Sequence, residues 1–110
     1  MNKVTIIIPT LNEAESLDIL LQEIKFLKFK DLIQEVIVVD ANSTDNTQEI
    51  AEIYNCKLII EKEKKGYGAA IIDGINNSNS LYSVVLDGDG SKKPDYIYDL
   101  IQIIEGSTDQ

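Results

Sequence analysis

The chain has 110 residues, with ten Lys and no Arg against 19 Asp+Glu for a net charge of −9, no His and one Cys. That length suits a single domain with a real core and leaves little room for a second lobe. The composition excludes Ser-His-Asp and Cys-His nucleophiles, His-containing zinc sites and disulfides, and it disfavours nucleic acid and anionic membrane surfaces as partners.

The first strand pattern is Val4-Thr5-Ile6-Ile7-Ile8, apolar and β-branched on consecutive positions, as in strands buried on both faces. Leu17, Leu20, Leu21, Ile24 and Leu27 then recur at helical spacing, with Asn12 as the expected N-cap and Glu15 three residues on. A second strand, Val36-Ile37-Val38-Val39, precedes a helix from about Asp45 that turns Ile50, Ala51, Ile53 and Tyr54 inward, with Gln48 at the reciprocal capping position. Leu58-Ile59-Ile60 is the third strand, followed by a helix bearing Ala69, Ala70, Ile71, Ile72 and Ile75. Val84-Val85-Leu86 is the fourth. The last helix starts at Pro94 and carries Ile97, Leu100, Ile101 and Ile104, ahead of Gly106. No apolar run exceeds four residues, whereas a membrane span needs roughly 20. Met1-Asn2-Lys3 leads directly into the first strand, so a reducing, cytoplasmic compartment is expected.

Strand and helix alternate four times. This order predicts an α/β architecture with a parallel sheet and right-handed crossovers, and such sheets bind ligands beyond the carboxyl ends of their strands. Those exits are Pro9-Thr10-Leu11-Asn12-Glu13, Asp40 to Thr47, Lys64-Lys65-Gly66-Tyr67-Gly68 and Asp87-Gly88-Asp89-Gly90-Ser91. Glu13, Asp40, Asp45, Asp87 and Asp89 are expected to converge there. At roughly 4 Å and an effective dielectric of about 20, each like-charged pair costs about 4 kcal/mol. The rim therefore calls for a hard divalent cation, Mg or Mn.

Asp87-Gly88-Asp89 places two carboxylates around a residue without a side chain, and it reads either as a strand-to-helix turn or as a metal site; its position after the fourth strand favours the metal. Gly88 and Gly90 permit unusual backbone angles and close approach of a ligand. Asp40 either receives hydrogen bonds from a nucleobase or ribose, or caps the turn that follows. Ser43 and Thr44 read as capping residues, and Glu13 as a first-turn acid or a ligand contact. Gly66-Tyr67-Gly68 lacks the third glycine of a dinucleotide loop, and no phosphate-binding P-loop is present. Lys64 and Lys65 face a diphosphate or belong to a solvated charge run. Tyr54, Tyr67, Tyr82, Tyr96 and Tyr98 read as core-rim residues.

Taken together, the four exits resemble glycosyltransferase family 2, whose members have the GT-A fold, and specifically its N-terminal nucleotide-sugar-binding half. Ile6 to Glu13 looks like the family's I-P-x-x-N-E segment, and Val38 to Thr47 like its V-D-D-x-S-x-D-x-T segment. Gly66-Tyr67-Gly68-Ala69-Ala70 with Gly74 is similar to its third loop, and Asp87-Gly88-Asp89 to its D-x-D motif. Leu86 to Ser91 followed by Pro94 looks most like the polyprenol-phosphate sugar transferases of the dolichol-phosphate mannose synthase type. The resemblance implies a three-layer, Rossmann-like sheet of four mainly parallel strands with helices on both faces. It implies that Pro9, Thr10, Leu11 and Glu13 frame the nucleoside, that Asp40 bonds the base, and that Gly66, Gly68 and Gly88 lie against the nucleotide sugar. Asp87 and Asp89 would hold the Mg or Mn that bridges the donor diphosphate, with Ser91 a further candidate ligand. Leu11 stands where many relatives have an aromatic residue, and Ala41 where a second acid is frequent.

Family catalytic domains continue into an acceptor-binding half that carries the general base. The chain is therefore expected to be a truncated donor domain, residues 1–110, inactive alone. Its acceptor is expected to be a polyprenyl phosphate, at the cytoplasmic face of a membrane in a full-length parent. Without the next strand, the fourth strand leaves an open edge, and pairing of two chains there is expected. Two other readings stand beside this one. A catalytically silent nucleotide-sugar-binding module shares the donor motifs, and a flavodoxin-like receiver domain also gathers acids around Mg. A receiver needs an Asp after its third strand, where this chain has Glu61 and Lys62.

Overall fold

A computed structural model describes residues 3–27, 30–63 and 65–91. Four strands and three helices alternate: β1 (Val4–Thr10), α1 (Ala14–Lys25), β2 (Ile33–Asp40), α2 (Thr47–Ile53), β3 (Lys57–Ile60), α3 (Tyr67–Asn76) and β4 (Tyr82–Val85), with a short 3-10 turn at Lys30–Leu32 before β2. The helix expected from Pro94 lies outside the described residues, as does Lys64. All four strands are parallel, in the order β3-β2-β1-β4.

The consecutive apolar residues of β1 divide between two layers, as a period of two requires. Val4, Ile6 and Ile8 join Val38, Leu17, Leu20, Leu21, Ile24 and Ala51 under α1 and α2. Ile7 faces the other way, with Ile37, Val39 and Ala70 under α3. Ile6, Ile7 and Ile8 are all 0% exposed, and each such side chain contributes about 2 kcal/mol by leaving water. Helices on both faces of one parallel sheet make the three-layer architecture expected.

β1 runs two residues further than the apolar pattern, through Pro9 and Thr10, which pair with Val39 and Asp40 of β2. The proline is tolerated because its polar edge faces the β4 side, where the ladder has already ended at Ile7 and Val85. Its carbonyl is met there by the Gly88 amide at 3.4 Å.

The inward face of α2 differs from expectation. Ile53 is 70% exposed, and the buried residues of α2 are Thr47 and Ala51. On α3, Ile72 and Ile75 are exposed, whereas Ala70 and Gly74 are buried. Gly74 lies so close to the sheet that a Cβ there would come 2.6 Å from Ile7 Cγ2. Small residues let α3 approach, and its larger side chains are turned outward.

Candidate nucleotide-sugar site

The carboxyl ends of the strands enclose a cleft of about 470 Å³. The exit of β1 supplies Pro9, Thr10, Leu11 and Glu13; β2 supplies Val39 and Ala41; the segment after β3 supplies Glu61, Glu63, Lys65, Gly66 and Tyr67; and the segment after β4 supplies Asp87, Gly88 and Asp89. Of the residues singled out from sequence for ligand contact, Asp40, Asp45, Gly68, Gly90 and Ser91 do not line it. Gly68 is exposed at the start of α3.

Asp40 has no exposed surface. Its Oδ1 accepts from Thr10 Oγ1 and Ser43 Oγ, both at 2.6 Å, and its Oδ2 from the Ser43 amide at 2.7 Å and Gln48 Nε2 at 2.9 Å. A carboxylate offers about four acceptor positions, and here all are filled by the protein. Burial pushes this carboxyl up, but the four hydrogen bonds outweigh it and the pKa is lowered. Of the two readings of Asp40, the structure adopts the turn-organising one. Gln48, expected to cap its own helix, instead reaches Asp40.

The β1 and β2 exits are laced together. Asn12, at φ 52, is not the helix cap; that position is Glu13, without a side-chain cap bond. Asn12 Oδ1 accepts from the Thr44 backbone amide at 2.8 Å while the Asn12 backbone amide donates to Ser43 Oγ at 2.8 Å. The Glu13 amide donates to Thr47 Oγ1 at 2.9 Å and the Ala14 amide to Asp45 Oδ2 at 3.3 Å. Asp45 also accepts from the Thr47 hydroxyl and amide, and the hydroxyl bond leads in holding its carboxyl below the usual range. The five acids gather at one edge of the sheet as expected, but they are not equivalent there. Fixed donors, not a cation, accommodate Asp40 and Asp45, which leaves Glu13, Asp87 and Asp89 facing the cleft.

Burial raises the pKa of Glu13; the Leu11 amide on Oε1 at 3.0 Å works against this, and the charges of Asp89, Asp87 and Asp40 add to it. Gly88 is pressed against the same segment: a Cβ on it would meet Thr10 Cγ2 at 2.8 Å and Glu13 Oε2 at 3.0 Å. Its carbonyl accepts from Ser16 Oγ at 2.7 Å, which ties α1 to the turn. Close approach is therefore what Gly88 provides, while the left-handed backbone of the turn belongs to Gly90, at φ 77.

Asp89 Oδ1 accepts from the Ser91 amide at 2.9 Å, the leading cause of its lowered pKa. Asp87 Oδ1 accepts from Tyr67 Oη at 2.6 Å, and its Oδ2 meets Ser91 Oγ at 3.4 Å. Among the described residues no three carboxylates stand together as a metal cluster. Two oxygen donors on one turn nonetheless suit Mg or Mn, which bind through one or two carboxylates plus water and substrate phosphates.

Tyr67 is the functional candidate that sequence reasoning missed, having been assigned to the core rim. It is 56% exposed, lines the cleft, and its hydroxyl is pushed up to about 12 by the hydrogen bond to Asp87. Its place between two loop glycines was the available signal. Lys65 is exposed, lines the cleft, and lies 3.6 Å from Glu61 and 3.9 Å from Asp73.

Residues 5–110 match the sequence profile of Glycosyl transferase family 2. The chain belongs to that family. Among its curated relatives, the dolichol-phosphate mannosyltransferase of Pyrococcus furiosus is 36% identical over 97% of this chain and 31% of its own length. Of the solved structures, a mannosyltransferase from Pyrobaculum calidifontis in complex with GDP-Man and Mn2+ is similar with a TM-score of 0.73 and 29% identity, over 80% of this chain and 28% of that one. Glucosyl-3-phosphoglycerate synthase from Mycobacterium tuberculosis shares the fold, with a TM-score of 0.79 at 22% identity over 94% of this chain and 39% of that one. The family 2 chain therefore has the Rossmann-like GT-A architecture. It spans about a third of the length of the curated relatives it matches.

Proposed function

We propose that this family 2 chain binds a nucleotide-diphosphate sugar with Mg or Mn in the cleft, as the donor half of a glycosyltransferase. The observation that carries this reading is the meeting, in one cleft, of the Pro9 to Glu13 segment with Asp87-Gly88-Asp89. Pro9, Thr10, Leu11 and Glu13 frame the nucleoside. Asp40 serves the base by fixing the Ser43 loop beside Ala41. Gly66 and Gly88 allow the nucleotide close to the backbone, and Gly68 lies in the first turn of the helix behind them. Asp87 and Asp89 hold the divalent ion, which when bound stabilises negative charge on the departing nucleoside diphosphate. The GDP-Man and Mn2+ of the Pyrobaculum relative support both ligands.

Transfer needs, besides this donor site, an acceptor site and a base, which this reading does not assign to the cleft. The acceptor class is a polyprenyl phosphate at a cytoplasmic membrane face, a reading supported by the Pyrococcus relative's name. No helix among the described residues is long and apolar enough to cross a membrane.

Calorimetric titration of GDP-mannose, UDP-glucose, GDP and UDP, with and without Mn, into this chain and its Asp89→Ala variant tests the proposal. Binding that requires both the metal and Asp89 is the expected result. Absence of binding from a folded chain overturns it, and metal-independent binding indicates a silent nucleotide-binding module.

A further inference from the structure

Among the described residues, β3 and β4 lie at opposite edges of the sheet. The segments that follow them nevertheless meet over the cleft, where Tyr67 Oη donates to Asp87 Oδ1 at 2.6 Å. Tyr67 is the first residue of α3 and more than half exposed, so core packing does not explain the ring. Bonds from a hydroxyl to a carboxylate are about twice as strong as neutral ones. The other oxygen of Asp87 meets only the Ser91 hydroxyl, at 3.4 Å, among the described residues. Tyr67 therefore makes the short contact that orients this carboxylate. It also fixes the distance between the start of α3 and the Asp87-Gly88-Asp89 turn.

We infer that Tyr67 is a positioning residue for Asp87: its hydroxyl occupies Oδ1, leaves Oδ2 for the divalent ion, and holds the cleft at the span that metal and diphosphate share. This inference rests on the donor-site reading above. A phenol suits the role because its two-torsion side chain is rigid and its hydroxyl donates without adding charge beside two carboxylates. A lysine there would pair with Asp87 and compete with the ion for it.

The test compares the parent chain, Tyr67→Phe and Asp89→Ala, each shown to be folded by circular dichroism. Mn binding is followed by the paramagnetic resonance of the free ion, and GDP and UDP binding by calorimetry with Mn and with EDTA. Tyr67→Phe is expected to weaken Mn-dependent binding about tenfold, the value of a hydrogen bond to a charged acceptor, and to leave metal-free nucleotide binding unchanged. Asp89→Ala is expected to abolish the metal-dependent part. Parent-like Mn affinity in Tyr67→Phe, with loss in Asp89→Ala, overturns the inference and leaves the donor site standing. Equal weakening with and without metal also overturns it, because the ring would then act through the nucleotide or the loop. No Mn binding by the parent, or none lost in Asp89→Ala, overturns the donor reading and this inference with it.

Discussion

Thr10, Ser43 and Gln48 converge on Asp40 from three elements, and a buried carboxylate without them would be costly. Because hydrogen bonding lowers the pKa of Asp40 below its ordinary value of 3.8, its contribution to stability is fully present above the unfolded value and is lost as pH falls through the folded one. Asp40→Asn is expected to cost about 2 kcal/mol at neutral pH, as hydrogen bonds to a charged acceptor do. The cost should shrink below pH 4. Denaturant titrations at pH 7 and pH 3 check this, and an equal loss at both would show that charge is not involved. The two roles open to Asp40 were legible in the sequence, but the choice between them was not. It depends on the filling of every acceptor position, by Ser43 and Gln48 nearby and by Thr10, 30 positions away across a strand pair.

Helix α3 shows how far a periodic pattern can be trusted at the scale of an element. Its apolar residues signal a helix correctly, because spacing is a local property. Which face packs is decided by distance from the sheet. Gly74→Ala gains up to about 1 kcal/mol of helix propensity, but the new methyl would meet the fully buried Ile7, and overpacking of this kind costs about 1–3 kcal/mol. The net expectation is destabilisation. Gly68→Ala, with nothing within 4 Å of the new methyl, should instead stabilise by up to about 1 kcal/mol. Thermal melts of the two variants give opposite signs if α3 sits where the structure has it. Two shifts of the same sign would refute the placement. The cap misassigned to Asn12 has a related origin, since the Asn amide could serve its own helix or the neighbouring loop, and only the approach of Thr44 decides.

At the scale of the molecule, β4 forms one edge of the sheet among the described residues, beside exposed Leu81. We expect two chains to pair through that edge, as unpaired strands do. Sedimentation at rising concentration checks this, with a mass that grows towards twice the chain's; a constant monomer mass would remove the idea. The alternation of elements, the two-face burial of β1 and the meeting of the strand-exit segments around one cleft were all readable from sequence. They follow from chain order, apolar spacing and the rule that parallel strands share one carboxyl edge. What required the tertiary structure was the apportioning of the acids on that edge. Five of them lie beyond strand ends in the sequence, yet Asp40 and Asp45 are satisfied within the loops while Glu13, Asp87 and Asp89 face the cleft. The Tyr67 to Asp87 bond likewise arises only when segments 20 residues apart fold over the same cleft. Spacing along a chain determines which elements form and which ends they share, whereas hydrogen bonds between distant segments determine which polar groups remain available to a ligand.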